Sequence, residues 1–380
     1  MTPHWTAQEH SLDIGAMPFY WRLSTQAQAH PDIAPRMPVH LKANVDFDYL
    51  ELALSTEEQA CLDLAYRQNE NIGFINPASG QIHTYGASVN QFLLEVAQST
   101  QPSKLFEIGC GAGFSIMFMR EHGWNVTGID PSDYSRQWSE RLGFPLINDF
   151  FDADTLCNEA DLIFCNDVFE HAGKVFEFSQ SVLRALRPGG TFCFATTNST
   201  ESILAGDISM LEHQHVNMFT ERSIHLILHA TGFSHIHVGK GSYGNTFQVT
   251  AQKCQAMRSS PTPAASCAGY FDRAQRKIEA FARLYAQVEN HCHFYVPLRC
   301  MPYLATVGDF GRHDIFDSNQ SWRGKYIDGY ARPVRSLEDV QDRESASFFV
   351  GSMTFFEAIR DSLLTKGIAR ERIHGIASLT

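Results

Sequence analysis

A chain of 380 residues exceeds what one ordinary hydrophobic core supports, so two or more domains are expected, and 44% apolar residues with 28 Phe are ample to fill them. The formal charge of −12 argues against nucleic acid as the main partner, and no apolar run approaches the ~20 residues that a membrane span needs. Nine cysteines, an odd number with no C-x-x-C pair, argue against a disulfide framework or zinc knuckle and fit reduced thiols in the cytoplasm.

Residues 1–95 lack a clean strand–helix rhythm, and prolines at 3, 18, 31, 35 and 38 suggest an extended lead-in. The first residues have neither a basic start nor an apolar stretch, so no secretory leader is read there. A helix is predicted around Thr56 to Asn69, with Ser55 through Glu58 as its N-cap. Asn76 to Tyr85 is loop-like, and the region reads as a cap over the part that follows. Residues 96–252 alternate regularly. The predicted strands are 104–109, 125–130, 145–148, 161–165 and 191–197. The helices are 114–122, 132–142, 174–187 and 220–231, and a closing strand pair lies near 235–239 and 245–251. That alternation is an α/β signature: a Rossmann-like, doubly wound sheet ending in an antiparallel pair. Residues 253–268 are polar and proline-bearing, hence a linker. Residues 269–380 read as a second, smaller Rossmann-like α/β domain, with a helix near 270–290, strands near 293–298, 313–316, 346–350 and 373–376, and a helix at 354–366.

The densest information lies at Lys104 to Gly113. A short apolar strand breaks into glycines at 109, 111 and 113, and a helix pattern starts at Phe114. Glycines at such a turn let backbone N–H groups approach a ligand. Asp130 ends the next strand, where a carboxylate can accept both hydroxyls of a ribose. A nucleoside cofactor therefore lies across these two strand ends. A dinucleotide site would more often show G-x-G-x-x-G. Here Glu107 precedes Gly109-x-Gly111-x-Gly113, which resembles motif I of the class I S-adenosylmethionine (SAM) methyltransferases. An acid beside the loop suits the cofactor's positive sulfonium and amino groups and would repel a pyrophosphate.

Other segments add candidates. Asn166 and Asp167 end a buried strand at the edge where such sheets bind ligands. Asp149 and Phe150 follow the third strand, where a carboxylate and an aromatic ring can meet an adenine, whereas Phe151 is as readily a core residue. Six of the 17 histidines fall between 213 and 237. His225 and His229 sit mid-helix and His235 and His237 alternate on a strand, without cysteine or carboxylate at ligand spacing, so no metal is expected. Glu212-His213-Gln214-His215 lies in the loop after the fifth strand, where His215 can take a proton from a substrate or simply orient the loop. Residues 1–252 carry 13 basic against 28 acidic residues and 253–380 carry 17 against 14. That asymmetry suits a cation in the first part and an anionic group in the second.

Together these segments resemble the nucleotide-sugar C-methyltransferase family over most of the chain. Tyr85 to Asn90, Asp130-Pro131, Asp149 to Phe151, Ala160 to His171, Glu212 to His215, Gly241 to Phe247, and the C-terminal pieces Asp314 to Asn319, Gly324-Lys325 and Phe349 to Gly367 each look like a family segment. The resemblance implies SAM bound by Glu107, the three glycines, Asp130, Pro131, Asp149, Phe150 and Asn166. It implies His215 as base, with Tyr85 and Glu212 polarising the substrate, and a small-molecule or nucleotide-linked sugar acceptor; self-association stays open. The chain departs from the family in three places. It lacks the N-terminal four-cysteine zinc module, Glu212 and Gln214 replace a Tyr and a Glu, and no glycine turn follows the first strand of the C-terminal domain. Two other readings stand beside this one: a quinone-type small-molecule O-methyltransferase, since Phe219-Thr220 follow His215, and a catalytically silent SAM-binding protein.

Overall fold

A computed structural model describes residues 4–19, 23–27, 32–68, 75–76, 81–82, 84–152, 154, 156–242, 245–254, 267–341 and 343–379. Its centre is a seven-stranded sheet of β1 (Leu105–Ile108), β2 (Val126–Ile129), β3 (Leu146–Ile147), β4 (Ala160–Asn166), β5 (Leu186–Thr197), β6 (Ser234–Lys240) and β7 (Thr246–Gln252). The spatial order is β3-β2-β1-β4-β5-β7-β6. The first five strands run parallel, and β7 is antiparallel to both β5 and β6. This is the doubly wound sheet with a closing antiparallel pair that the sequence pattern predicts. In β4 every residue but Asn166 is buried, as expected for a strand covered on both faces. In β7 burial alternates, the mark of a strand with one covered face. β5 starts earlier than predicted because Leu186 already pairs with Ala160 of β4; the register is irregular before Thr191, where Gly189 takes a φ of 83°.

The chain runs outward from β1 to β3 on one side and from β4 to β5 on the other. The strand order therefore reverses between β1 and β4, and a crevice opens above their carboxyl ends. The glycine loop after β1 and the Asn166–His171 segment after β4 meet there.

The N-terminal region differs from expectation. Thr6–Gln8, Ser11–Pro18, Arg36–Asn44 and Tyr49–Leu52 form an antiparallel sheet, and Asn217–Met218 adds its last strand. Pro38 within a strand and the register break between Asp13 and Ala16 hid the period-two pattern from the sequence reading. The apolar face of this sheet (Leu12, Ile14, Val39, Leu41) shares one core with Tyr270, Phe271, Phe281 and Leu304 of two C-terminal helices, Tyr270–Val288 and Pro297–Val307. The expected cap thus packs on the C-terminal unit as well as bordering the central one.

The C-terminal unit carries a parallel sheet of Cys292–Tyr295, Ile315–Phe316, Val334–Arg335, Ser347–Val350 and Ile373–Gly375. Where a glycine turn was sought after its first strand, Val296 takes the left-handed conformation (φ 59°) and Pro297 opens a helix that the sequence reading missed. Most of the expected linker, residues 255–266, lies outside the described residues.

Because the N-terminal sheet and the C-terminal helices share a core, a chain cut after residue 254 uncovers large apolar side chains, each costing roughly 1.5–3 kcal/mol. Such a fragment is expected to aggregate or to bind a hydrophobic dye. A monodisperse fragment that melts at the same temperature as the full chain contradicts the shared core.

Candidate active site

The loop after β1 needs its glycines for conformational reasons. Gly109, Gly111 and Gly113 have φ of 71°, 53° and 74°, a region costly for residues with a Cβ. The loop is tied to β2 at two points: the Gly109 N–H donates to the Ile129 carbonyl at 2.7 Å, and the Gly111 N–H donates to Asp130 Oδ2 at 3.0 Å. Asp130 Oδ1 accepts from the Ser132 N–H (2.9 Å) and hydroxyl (2.7 Å). Asp130 thus braces the glycine loop with one acceptor position on Oδ2 left over for a ligand's hydroxyl. Pro131 leads into Ser132, which caps the Asp133–Leu142 helix.

Glu107 is buried on β1, and its Oε2 has no hydrogen-bond partner among the described residues. Burial raises its pKa to about 8, the nearby Asp130 adds to the rise, and a Ser115 hydrogen bond opposes it. A buried carboxyl with one oxygen left unpaired next to a glycine loop suits a cationic ligand and not an anionic one. The sulfonium and ammonium of SAM meet that requirement, so the donor set fits this cofactor. Asn90 is a second such group, on the Thr84–Thr100 helix that the sequence reading did not find. Its side-chain amide is buried, and neither atom has a hydrogen-bond partner among the described residues.

Phe150 is one of the exposed large apolar residues. The Arg67 guanidinium lies 4.7 Å from its ring centroid and 3.1 Å from Asp149, so this pair already holds an N-terminal helix residue over the end of β3. Phe151 packs against Phe178 and belongs to the core. Asn166 and Asp167 meet Tyr85: its hydroxyl donates to Asp167 Oδ1 at 2.6 Å, with Asn166 Oδ1 at 3.0 Å. Burial and then the Asp167 carboxylate push the Tyr85 phenol far above its ordinary range, so it stays neutral. Asp167 itself sits at φ 51°, a strained conformation for a non-glycine residue.

A charged cluster lies just beyond. Glu170 is fully buried; its Oε2 accepts from the Thr196 hydroxyl at 2.8 Å and its Oε1 from the Thr197 N–H at 3.3 Å. Burial raises the pKa of both Glu170 and Asp167, and the charge of Glu170 raises Asp167 further. His215 Nδ1 is 2.8 Å from Glu212 Oε1, and the rings of His171 and His215 meet edge to face at 4.9 Å. Burial works against a charged His215, but Glu212 and Glu170 outweigh it and hold the pKa above the usual value. Burial also works against a charged Glu212, yet His215 and Arg299 keep it well below the usual carboxylate range. His171, by contrast, is pushed down to about 3, first by burial and then by the charge of His215. Its Nδ1 lies 3.0 Å from the Tyr66 hydroxyl. Glu212, expected to polarise the substrate, is therefore the group that holds His215. His213 faces away, its Nε2 donating to the Met37 carbonyl at 3.1 Å.

The structure thus brings Tyr85, Asn166, Asp167 and His215 to the β4 end of the crevice and Glu107, the glycines and Asp130 to its β1 end. Asp149 and Phe150 stand at the rim. Glu170, Tyr66 and Asn90 were missed. Asp167-x-x-Glu170-His171 carried a signal, three ionisable side chains just past a buried strand, whereas nothing local marks Tyr66 or Asn90.

Known proteins agree with this part of the chain. Residues 81–238 match the sequence profile of a methyltransferase domain. A ubiquinone biosynthesis O-methyltransferase of Actinobacillus pleuropneumoniae is 30% identical over 131 residues, which cover 31% of this chain and 56% of that protein. Its counterpart in Hydrogenovibrio crunogenus is 26% identical over 127 residues, covering 31% and 52%. The chain spans about half the length of these curated relatives. Among solved structures, human N-acetylserotonin methyltransferase with SAM is 16% identical (TM-score 0.37), covering 44% of this chain and 52% of that one. A Haemonchus contortus phosphoethanolamine N-methyltransferase with SAM is 16% identical (TM-score 0.35), covering 44% and 53%. This chain carries a SAM-dependent methyltransferase domain with the class I fold.

Because Glu107 is largely protonated near neutrality and a cation favours its charged form, SAM binding at pH 7 is expected to release a proton. The calorimetric heat of binding should vary with the ionisation enthalpy of the buffer. Glu107→Gln should remove that variation and weaken binding by about 1–3 kcal/mol. Heats independent of buffer in the parent protein speak against the assignment.

Proposed function

We propose that the chain transfers the methyl group of SAM to a small or carrier-linked, sugar-like acceptor, with His215 receiving the acceptor's proton. The observation that carries this reading is the Glu212–His215 pair, 2.8 Å apart, beside the end of β4 and across the crevice from the glycine loop. The sugar-like class is supported by the segments that resemble nucleotide-sugar C-methyltransferases and by the parallel C-terminal sheet packed behind the catalytic loop. A reducing, cytoplasmic setting is supported by nine cysteines, all free.

SAM supplies a methyl group already activated on a sulfonium. The residues of this chain hold and align. Glu107 balances the cofactor's charge, and the glycine loop braced by Asp130 gives its backbone groups to the nucleoside. Tyr85, kept neutral, is a fixed hydrogen-bond donor whose proton points at Asp167. Glu212 engages Nδ1 of His215, which leaves Nε2 as the nitrogen that takes a proton. Burial of the cluster keeps water from competing for the methyl group.

A second reading has its own support. The relatives at 26–30% identity are ubiquinone biosynthesis O-methyltransferases, matched over 131 and 127 residues. An aromatic hydroxyl acceptor needs the same proton removal that His215 offers. The silent SAM-binding alternative is the weaker one, because the carboxylate-held histidine is intact.

Incubation with methyl-labelled SAM and parallel panels of nucleotide-linked sugars and hydroxylated quinones decides between the acceptor classes. His215→Ala should lower methyl transfer by about 10²–10⁴-fold, the usual contribution of a general base. Its SAM affinity should change by less than about 1 kcal/mol. Wild-type rates in that variant overturn the base assignment.

The complementary substitution acts on the cofactor. Asp130→Ala should weaken SAM binding by about 1–3 kcal/mol, since both the ribose and the Gly111 N–H lose a charged acceptor. Unchanged affinity by calorimetry overturns the role of Asp130.

A further inference from the structure

We propose that Glu170, His171 and His215 form a site for one divalent transition-metal ion, whose coordination an oxygen of the methyl acceptor completes. The sequence reading set metal aside because it compared histidines within the 213–237 stretch. The structure instead sets His215 against Glu170 and His171, which belong to the short helical turn after β4. One carboxylate oxygen and two ring nitrogens of these residues all lie within 4.8 Å of one another. Metal bonds of about 2.0–2.2 Å put neighbouring donors roughly 3–3.5 Å apart, so the three side chains need to draw in by about an ångström.

Each donor already has the outer partner that metal ligands need. Glu212 holds Nδ1 of His215 at 2.8 Å, the Tyr66 hydroxyl meets Nδ1 of His171 at 3.0 Å, and the Thr196 hydroxyl donates to Glu170 at 2.8 Å. With Nδ1 engaged in both histidines, Nε2 is the coordinating nitrogen in both, and the ring orientations are fixed beforehand.

Charge points the same way. Asp167, Glu170 and Glu212 crowd this end of the crevice, with Glu170 fully buried and Glu212 2.8 Å from His215. A divalent ion offsets buried carboxylate charge. Two imidazoles and one carboxylate favour zinc, iron, manganese or cobalt over magnesium or calcium. Three protein ligands leave positions open for an exogenous oxygen. The site also lies where such an oxygen is useful, since Val168, between Asp167 and the ligands, packs on Gly109 of the cofactor loop. The acceptor half of the proposal rests on the methyl-transfer reading of the crevice; the ion half does not. Nε2 of His215 does not hold the ion and accept a proton at once, so the base role belongs to the ion-free protein; in the ion-loaded protein the ion lowers the pKa of the acceptor oxygen bound to it, and that proton leaves to solvent.

The test uses the full chain, stripped with a chelator and titrated with Co²⁺ (visible absorption) and Zn²⁺ (calorimetry), without SAM. One equivalent is expected to bind, with visible bands of a low-symmetry Co²⁺ site. His215→Ala and His171→Ala should each weaken binding at least about 100-fold. Glu212→Gln should weaken it by about 10–100-fold, as for other outer partners. SAM affinity of ion-free His215→Ala, expected unchanged, shows that this variant is folded. Absence of binding at millimolar metal, or wild-type affinity in folded His215→Ala, overturns the site. A Co²⁺ spectrum that the acceptor identified in the labelling panels leaves untouched overturns the acceptor half alone. Loss of SAM binding by the parent protein, with Co²⁺ binding retained, overturns the methyl-transfer reading and leaves the ion site standing.

Discussion

Buried negative charge at the end of β4 is the constraint around which this molecule is arranged. Asp167, part-buried, and Glu170, fully buried, stand at the carboxyl edge of a strand covered on both faces, where an uncompensated carboxylate is costly. Part of the compensation is local: the Tyr85 hydroxyl for Asp167, and the Thr196 hydroxyl and Thr197 N–H for Glu170. The rest is His215, which arrives on a loop from beyond β5, with Glu212 attached. The attraction works in both directions, because Glu212 and Glu170 raise the pKa of His215 and His215 holds Glu212 well below the usual carboxylate range.

That loop needs anchoring, and the parts outside the central sheet supply it. Asp207, fully buried at its start, accepts a hydrogen bond from the Tyr303 hydroxyl at 3.0 Å, and the Tyr270 hydroxyl donates to its carbonyl at 3.2 Å. Both tyrosines belong to the C-terminal helices. At the loop's other end Asn217–Met218 joins the N-terminal sheet, and His213 donates to Met37 within that sheet. The N- and C-terminal regions, which share a core, thus hold the two ends of the segment that delivers His215. They shape the acceptor side of the crevice, while the central sheet alone shapes the cofactor side.

The cofactor side obeys a different rule. Three left-handed residues in five allow the loop to fold back on β2, so that Asp130 braces it through the Gly111 N–H. Backbone conformation does there what charge does at β4. The result is a crevice with one wall fixed by glycine geometry and the other by paired charges.

The sequence by itself determined the central fold and the cofactor wall, because both are written locally. Short apolar runs mark β4 and the inner half of β5, and the glycine spacing, Glu107 and Asp130 fall within one βαβ unit. The N-terminal sheet was not legible, since Pro38 and the break between Asp13 and Ala16 interrupt its alternation. Nor was the Pro297–Val307 helix, which opens on a left-handed valine and holds an internal proline. At the site the residue types were visible but their partners were not. Glu212 read as a group facing substrate and is bound to His215; His171 read as part of a family pattern and meets Tyr66 and His215. Only the tertiary structure decided this. Burial and charge compensation act between segments far apart in the chain, and local propensity carries no record of which distant side chain will balance a buried charge.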